Sequence, residues 1–136
     1  MLAGIVSLLN SNTGLTNLIG SNSIVPVGQV KGVSSPFVVY HISSGDPTYS
    51  AKGDTELQMI RFQFDCYSSK NHLEAWNVAV ALRTAIKNTI NQTLTDGTFV
   101  YACVASPPVD LTMVAEGTAS IDFRVMVEVE VHFLTS

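Results

Sequence analysis

The sequence has few charged residues. Of its 136 residues, 7 are Lys or Arg and 11 are Asp or Glu, so 13% are charged while 46% are hydrophobic. A soluble domain ordinarily has roughly a quarter of its residues charged, so this surface must meet water largely through Ser, Thr, Asn and apolar groups. The formal charge of −4 argues against a nucleic-acid-binding protein, which needs clustered Lys and Arg. A surface so poor in charge suits contacts with other proteins.

The sequence also lacks a basic segment at its start and a long apolar run. No Lys or Arg precedes Lys31, so the apolar residues 2–9 do not have the positive flank of a signal peptide. No stretch reaches the ~20 apolar residues that cross a bilayer. We therefore expect an unexported chain without a membrane partner. Its length predicts one domain, residues 1–136, since a chain of this size buries about two thirds of its unfolded surface.

Residues that carry chemistry are scarce. The two cysteines, Cys66 and Cys103, lie far apart in apolar, strand-like runs, which predicts buried free thiols. No His lies at metal-ligand spacing from another His or Cys. The sequence contains no GxSxG, no HExxH and no glycine-rich phosphate loop. We predict no catalytic residue, no cofactor and no metal, and hence a protein that is not an enzyme.

Residues 121–133 show the clearest periodicity in the chain. Apolar and polar residues alternate strictly there, which predicts a long antiparallel-type strand with one solvated face. The apolar set is Ile121, Phe123, Val125, Val127, Val129, Val131 and Phe133.

Four further stretches are predicted as strands. Residues 24–30 surround Pro26, which favours a sheet edge. Residues 37–42 and 99–105 are rich in β-branched and aromatic side chains. Residues 56–67 alternate only if a bulge lies near Met59 and Ile60, because one extra residue reverses the face that each side chain takes.

Two regions have helical spacing. The N-terminal apolar residues predict a helix that is broken near Gly14 and stopped by Gly20, with Asn12 or Thr13 starting its second part. A long helix is predicted after Ser68 or Ser69, either of which can cap it. Its apolar stripe is Ala75, Ala79, Leu82, Ile86 and Ile90. Together the elements predict an α+β fold: a single sheet, antiparallel or mixed, with one long helix packed on it and a short broken N-terminal helix.

Residues 43–55 are predicted to be a loop, since their composition favours turns over a continuous ladder. A connection this long is uncommon in a compact domain and often functional. We consider it a candidate assembly-contact loop, the alternative being an ordinary mobile surface loop. Its candidate contact residues are Asp46, Pro47, Tyr49, Lys52 and Asp54.

The solvated face of the last strand contains a row of acids, Asp122, Glu128 and Glu130. One interpretation is that Arg61 or Arg124 balances this row across the sheet. The functional interpretation is an acidic surface that faces a channel and lets DNA pass without binding it.

The order of segments resembles that of the tail-completion, or tail-terminator, proteins of long-tailed bacteriophages. The matching positions are the strand "PFVVY" at residues 36–40, the step Asp65-Cys66-Tyr67 into a helix, and the pair Glu74-Ala75. The resemblance covers residues 1–105, and the C-terminal strand fits loosely.

The resemblance implies a structural virion protein that forms a ring, a homohexamer, at the head-proximal end of the tail tube. That ring ends tube growth and joins the tail to the head connector. Its implied partners are further copies of itself, the tail tube protein and the head–tail connector protein, while DNA passes through without specific binding. The implied location is the tail or neck of the virion, after assembly in the host cytoplasm. A head-side connector or adaptor ring, or a small non-catalytic ligand-binding module, remains as an alternative.

Overall fold

A computed structural model describes residues 2–20, 23–28, 35–50, 53–114 and 121–134. In chain order the elements are α1 (Leu2–Ser11), α2 (Thr13–Ile19), β1 (Ile24–Pro26), β2 (Phe37–Ser50), β3 (Gly53–Ser68), α3 (His72–Lys87), β4 (Ile90–Thr93), β5 (Phe99–Ala105), β6 (Val109–Asp110), β7 (Met113–Val114) and β8 (Ile121–Leu134).

The strands form a mixed sheet in the order β1-β2-β3-β8-β5-β4. β1 runs parallel to β2, and every other described pair is antiparallel. The short strands β6 and β7 pair with the N-terminal part of β8. Strands on one sheet with helices packed against it confirm the α+β prediction. Pro26 lies in the edge strand β1, as expected for a residue that cannot donate a backbone hydrogen bond.

β8 confirms the alternation that its sequence predicts. On its inner face Val125, Val127, Val129 and Val131 are fully buried. Opposite them on β3 lie further buried residues, Phe64 being paired with Val127 in the register. The buried residues of β3 and β8 form the sheet side of the core, and the helices pack on them.

α3 covers this inner face. Its buried stripe contains Ala75, Val78, Ala79, Leu82 and Ile86. The prediction that Ile90 belongs to this stripe is wrong, because the helix ends at Lys87 and Ile90 begins β4. The predicted serine cap is also wrong: Asn71 Oδ1 accepts a hydrogen bond from Glu74 N at 2.7 Å. Ser68 instead donates to Glu74 Oε1 at 2.8 Å and thereby supports the first turn.

The N-terminal helix is broken at Asn12, two residues before Gly14. Asn12 Oδ1 accepts a hydrogen bond from Leu15 N at 3.0 Å and so caps α2, which confirms Asn12 as the start of the second part. Gly20 caps the C-terminal end of α2, as predicted. At the start of α1, Gly4 N donates to Asp96 Oδ2 at 3.0 Å. A Cβ on Gly4 would lie only 2.7 Å from Leu94 Cβ, so α1 approaches the β4–β5 turn as closely as glycine allows. Among the described helices, none is long and apolar enough to span a membrane.

The prediction of a loop at residues 43–55 is wrong. β2 continues to Ser50 and β3 begins at Gly53, so the two strands form one long hairpin. The turn-forming composition of this segment is overridden by pairing between the neighbouring strands. The predicted bulge in β3 is wrong as well, because the β3–β8 register runs without a shift through Met59 and Ile60. The β2–β3 register shifts at two other places. Between Ile42 and Ser44 the extra residue lies on β2, and between Pro47 and Tyr49, which face Gln58 and Asp54, the extra residues lie on β3.

Candidate functional site

The sheet face opposite the helices has mostly polar and charged side chains. We call this surface the outer face and define it by the residues of β3 and β8 that alternate with the core. They are Arg61, Gln63, Asp65, Tyr67, Arg124, Met126, Glu128, Glu130 and His132. All of them are at least half-buried, and Asp65 is fully buried, although the described helices pack on the other face.

One group of side chains on the outer face is centred on Glu130. Arg61 Nε lies 3.1 Å from Glu130 Oε2, and His132 Nε2 lies 2.7 Å from Glu130 Oε1. The hydrogen bond from Arg61, and after it the contact with His132, lowers the pKa of Glu130 below its ordinary range. At neutral pH Glu130 is therefore ionised, and its carboxylate contacts both Arg61 and His132.

A second group is centred on Asp65. Arg124 Nη2 lies 3.1 Å from Asp65 Oδ2, and Gln63 Nε2 donates to the same carboxylate at 3.1 Å. The Arg124 guanidinium also lies 5.9 Å from the centroid of the Tyr67 ring. Burying a carboxylate is costly unless it is paired, and these contacts supply the partners.

The predicted acidic row is thus part of a mixed-charge surface. Glu130 is balanced by Arg61, as one of the two interpretations held, whereas Arg124 pairs with Asp65 rather than with the acidic row. Glu128 lies on the same face, and its backbone N donates to Ser106 Oγ at 2.9 Å. The side chain of Asp122 lies outside the described part of the structure. That the row faces a channel stays a prediction.

The far end of the β2–β3 hairpin forms a two-stranded arm. β8 accompanies β3 only as far as the pair Leu57 and Leu134. Beyond that point β2 and β3 pair only with each other in the described residues, up to Ser50 opposite Gly53. A two-stranded ribbon is marginal by itself in water, which favours a contact that covers it.

The arm contains most of the predicted contact residues. Asp46, Pro47 and Tyr49 belong to β2, and Asp54 belongs to β3. Lys52 lies outside the described residues, and the side chains of the other four are likewise not described. Their role in assembly contacts stays a prediction.

The opposite edge of the sheet exposes apolar side chains. Ile90 on β4 and Val104 on β5 are each 60% exposed, and Val80 on the outside of α3 is 43% exposed. Sequence reasoning missed this edge, because residues 90–93 show neither strand alternation nor a strong β-propensity. These three side chains leave apolar area exposed on α3, β4 and β5.

The structure offers little support for catalysis in the residues it describes. Burial raises the pKa of Cys66 far above its ordinary value and that of Cys103 to about 11, so neither thiol is a ready nucleophile. No group of three or more His, Cys, Asp or Glu in the described ranges could hold a metal ion. The groove between α1 and β2, about 500 Å³, is lined mainly by apolar atoms and by Tyr40 and Asn10.

Comparison with known proteins identifies relatives by family and by fold. A family model described as "Tail completion protein gp17" matches residues 3–129. A chain from a solved structure titled "Virion of native gene transfer agent (GTA) particle" has a similar fold, with a TM-score of 0.68 and 11% sequence identity. That alignment covers 97% of this chain and 94% of the other. No curated protein matches the sequence.

Proposed function

Since the chain belongs to the family of tail completion proteins, and is thus a structural protein of the virion, we propose that it forms a homohexameric ring on the head-proximal end of the tail tube. There it ends tube growth and provides the surface to which the head connector binds. The observation that carries this proposal is the family match over nearly the whole chain, residues 3–129. No step of this function requires catalysis.

The shape of the sheet supports a ring. A closed ring needs two different patches on each subunit that meet head to tail. The two edges of this sheet are unlike: the long hairpin projects near one edge, and the short, exposed strand β4 forms the other. Two unlike edges can supply the two different patches that a head-to-tail contact needs.

The outer face supports a role beside the DNA. Glu128 and Glu130 are acidic, and Asp65 and Glu130 are held by Arg124 and Arg61. Because these arginines are already paired, they are poorly available to phosphates. The negative charge of Glu128, which no arginine pairs with in these contacts, repels phosphates weakly. We propose that this face borders the channel through which DNA passes without specific binding.

Deletion of the gene from the phage tests the proposal. We expect filled heads without attached tails, together with tail tubes that have grown beyond their normal length. Complementation with the unsubstituted gene is the control. Tails of normal length beside heads that leak their DNA would contradict the proposal and would indicate a head-side adaptor instead.

A further inference from the structure

Two distant parts of the chain have opposite charge. Between residues 44 and 56 the sequence contains three acids, Asp46, Asp54 and Glu56, and one cation, Lys52. Residues 75–95 contain no Asp or Glu at all, but two cations, Arg83 and Lys87. In a chain with only 18 charged residues, this separation of sign is a distinctive property of the sequence.

The first part is the two-stranded arm. We call its described strand ends, residues 44–50 and 53–56, the acidic arm. From Ile42 onward β2 pairs only with β3 in the described chain, so the other edge of its backbone is not engaged by a strand there. An unpaired strand edge of this kind is a template for pairing with another chain.

The second part is the C-terminal half of α3 together with β4, which follows it after two residues. We call this part the basic edge and define it as residues 80–93. Lys87 is exposed, and Val80 and Ile90 add exposed apolar area beside it. Arg83, which is half-buried on the same part of α3, adds a second positive charge.

The two surfaces lie on different sides of one subunit. β2 and β4 are separated by three strands in the sheet order, which corresponds to about 19 Å across the sheet. A subunit whose two complementary surfaces cannot meet each other is suited to a head-to-tail contact, in which the arm of one copy reaches the edge of the next.

We propose that the acidic arm of one copy packs against the basic edge of the next copy, and that this contact closes the ring. The inference rests on the proposed function, which supplies the ring, and adds to it the two surfaces that form the interface. The contact combines opposite charges at its rim with the apolar side chains Val80 and Ile90, a combination that is typical of protein interfaces.

Charge reversal tests the contact with two variants of the full chain. The first, Asp54→Lys with Glu56→Lys, reverses the arm. The second, Lys87→Glu with Thr84→Glu, makes the edge acidic at two exposed positions of α3. Each variant is incubated with purified tail tubes, and the chain that sediments with the tubes is measured. Thermal unfolding confirms that both variants are folded.

We expect each variant alone to bind tube ends about tenfold or more weakly than the unsubstituted chain, because like charges then face each other. An equal mixture of the two variants is expected to bind normally. In the mixture, a basic arm meets an acidic edge, and an acidic arm meets an unaltered basic edge, so an alternating ring satisfies both contacts.

A matched control changes residues outside the basic edge. Lys70→Glu with Asn77→Glu alters the net charge by the same amount as the edge variant, at one exposed position before α3 and one in its N-terminal half. We expect this control to sediment with the tubes like the unsubstituted chain. Loss of binding in this control would show that total charge, and not the basic edge, governs assembly, and would overturn the proposal.

Three other results also contradict the proposed contact. Normal binding by either variant alone would show that the contact is elsewhere. Loss of binding that the mixture does not restore would show that the arm or the edge contacts the tube protein rather than another copy. Failure of the unsubstituted chain to bind tube ends would overturn the proposed function itself, and the contact with it.

A disulfide provides a second, independent measurement. The native thiols are buried, so cysteines introduced as Asp54→Cys and Lys87→Cys are the reactive ones. A chain with both substitutions is expected to give a ladder of multimers on the tubes after oxidation, whereas either substitution alone gives none above a dimer. A chain with both substitutions that stays monomeric on the tubes after oxidation would contradict the proposed contact.

Discussion

Arg124 Nη2 lies 3.1 Å from Asp65 Oδ2 and joins β8 to β3 diagonally, since the register places Met126 opposite Asp65 and Tyr67 opposite Arg124. This ion pair lies on the outer face, away from the helices. It differs from the neighbouring pair of Arg61 and Glu130 in burial: the Asp65 side chain is 6% exposed, whereas that of Glu130 is 30% exposed.

This difference predicts unequal contributions to stability. Asp65→Ala should lower the free energy of unfolding by about 1–3 kcal/mol, because it leaves the half-buried Arg124 without its carboxylate. Glu130→Ala, the matched change in the more exposed pair, should cost about 0.2–1 kcal/mol. Urea denaturation of the two variants measures both values. Equal losses would show that burial does not govern the strength of these pairs.

Gly4→Ala should destabilise the protein although alanine is the better helix former by about 1 kcal/mol. The new Cβ would lie 2.7 Å from both Leu94 Cβ and Asp96 Oδ1, so α1 would have to move away from the β4–β5 turn. Asn17→Ala, at an exposed position of α2, is the control and should be neutral or slightly stabilising. Thermal unfolding measures both, and a gain in melting temperature for Gly4→Ala would contradict the close approach.

Stability should fall as the solution is acidified, in part through Glu130. Its pKa in the folded chain is lowered by Arg61 and then by His132, so its stabilising contribution is present above the ordinary carboxyl pKa and is lost as the pH falls through the lowered value. Arg61→Met removes the main cause of the lowered pKa. Denaturation between about pH 6 and pH 3 should show a shallower loss for this variant. An unchanged slope would contradict this assignment.

Both thiols should resist modification in the folded protein. At pH 8 a thiol whose pKa is raised to about 11, as for Cys103, has about one thiolate in a thousand. Cys66 is fully buried and its pKa is raised further, by burial and by the neighbouring Asp65. Titration of the folded chain with an aromatic disulfide should therefore be slow, with Cys103 reacting before Cys66. Stoichiometric reaction of the folded chain within minutes would contradict this.

The regular elements could be predicted because burial imposes a period on the sequence. Alternation along β8 and the stripe from Ala75 to Ile86 on α3 both follow from one face being covered. The helix cap was harder to predict, since Ser68, Ser69 and Asn71 all have suitable side chains. Only the path of the chain decides which of them reaches the first turn.

The β2–β3 hairpin could not be predicted from local chemistry. Gly45, Asp46 and Pro47 favour a loop, yet the strands continue through them because each supplies a partner for the other's backbone. The composition of the outer face could be predicted, and Arg61 was one of two candidates to balance the acidic row, but the pairing of Arg124 with Asp65 could not. Which arginine meets Asp65 and which meets Glu130 depends on the register between β3 and β8, which the sequence does not state. The sequence does indicate the basic edge, because residues 75–95 contain no Asp or Glu. This absence gains meaning only when it is compared with the acids of the acidic arm.

The most direct test of the proposed ring is electron cryomicroscopy of isolated tails at their head-proximal tip. We expect a closed ring of six copies of this chain on the last layer of the tube, with the outer face toward the channel. A tip that carries no copy of the chain, or carries it as single unconnected subunits, would contradict the proposal.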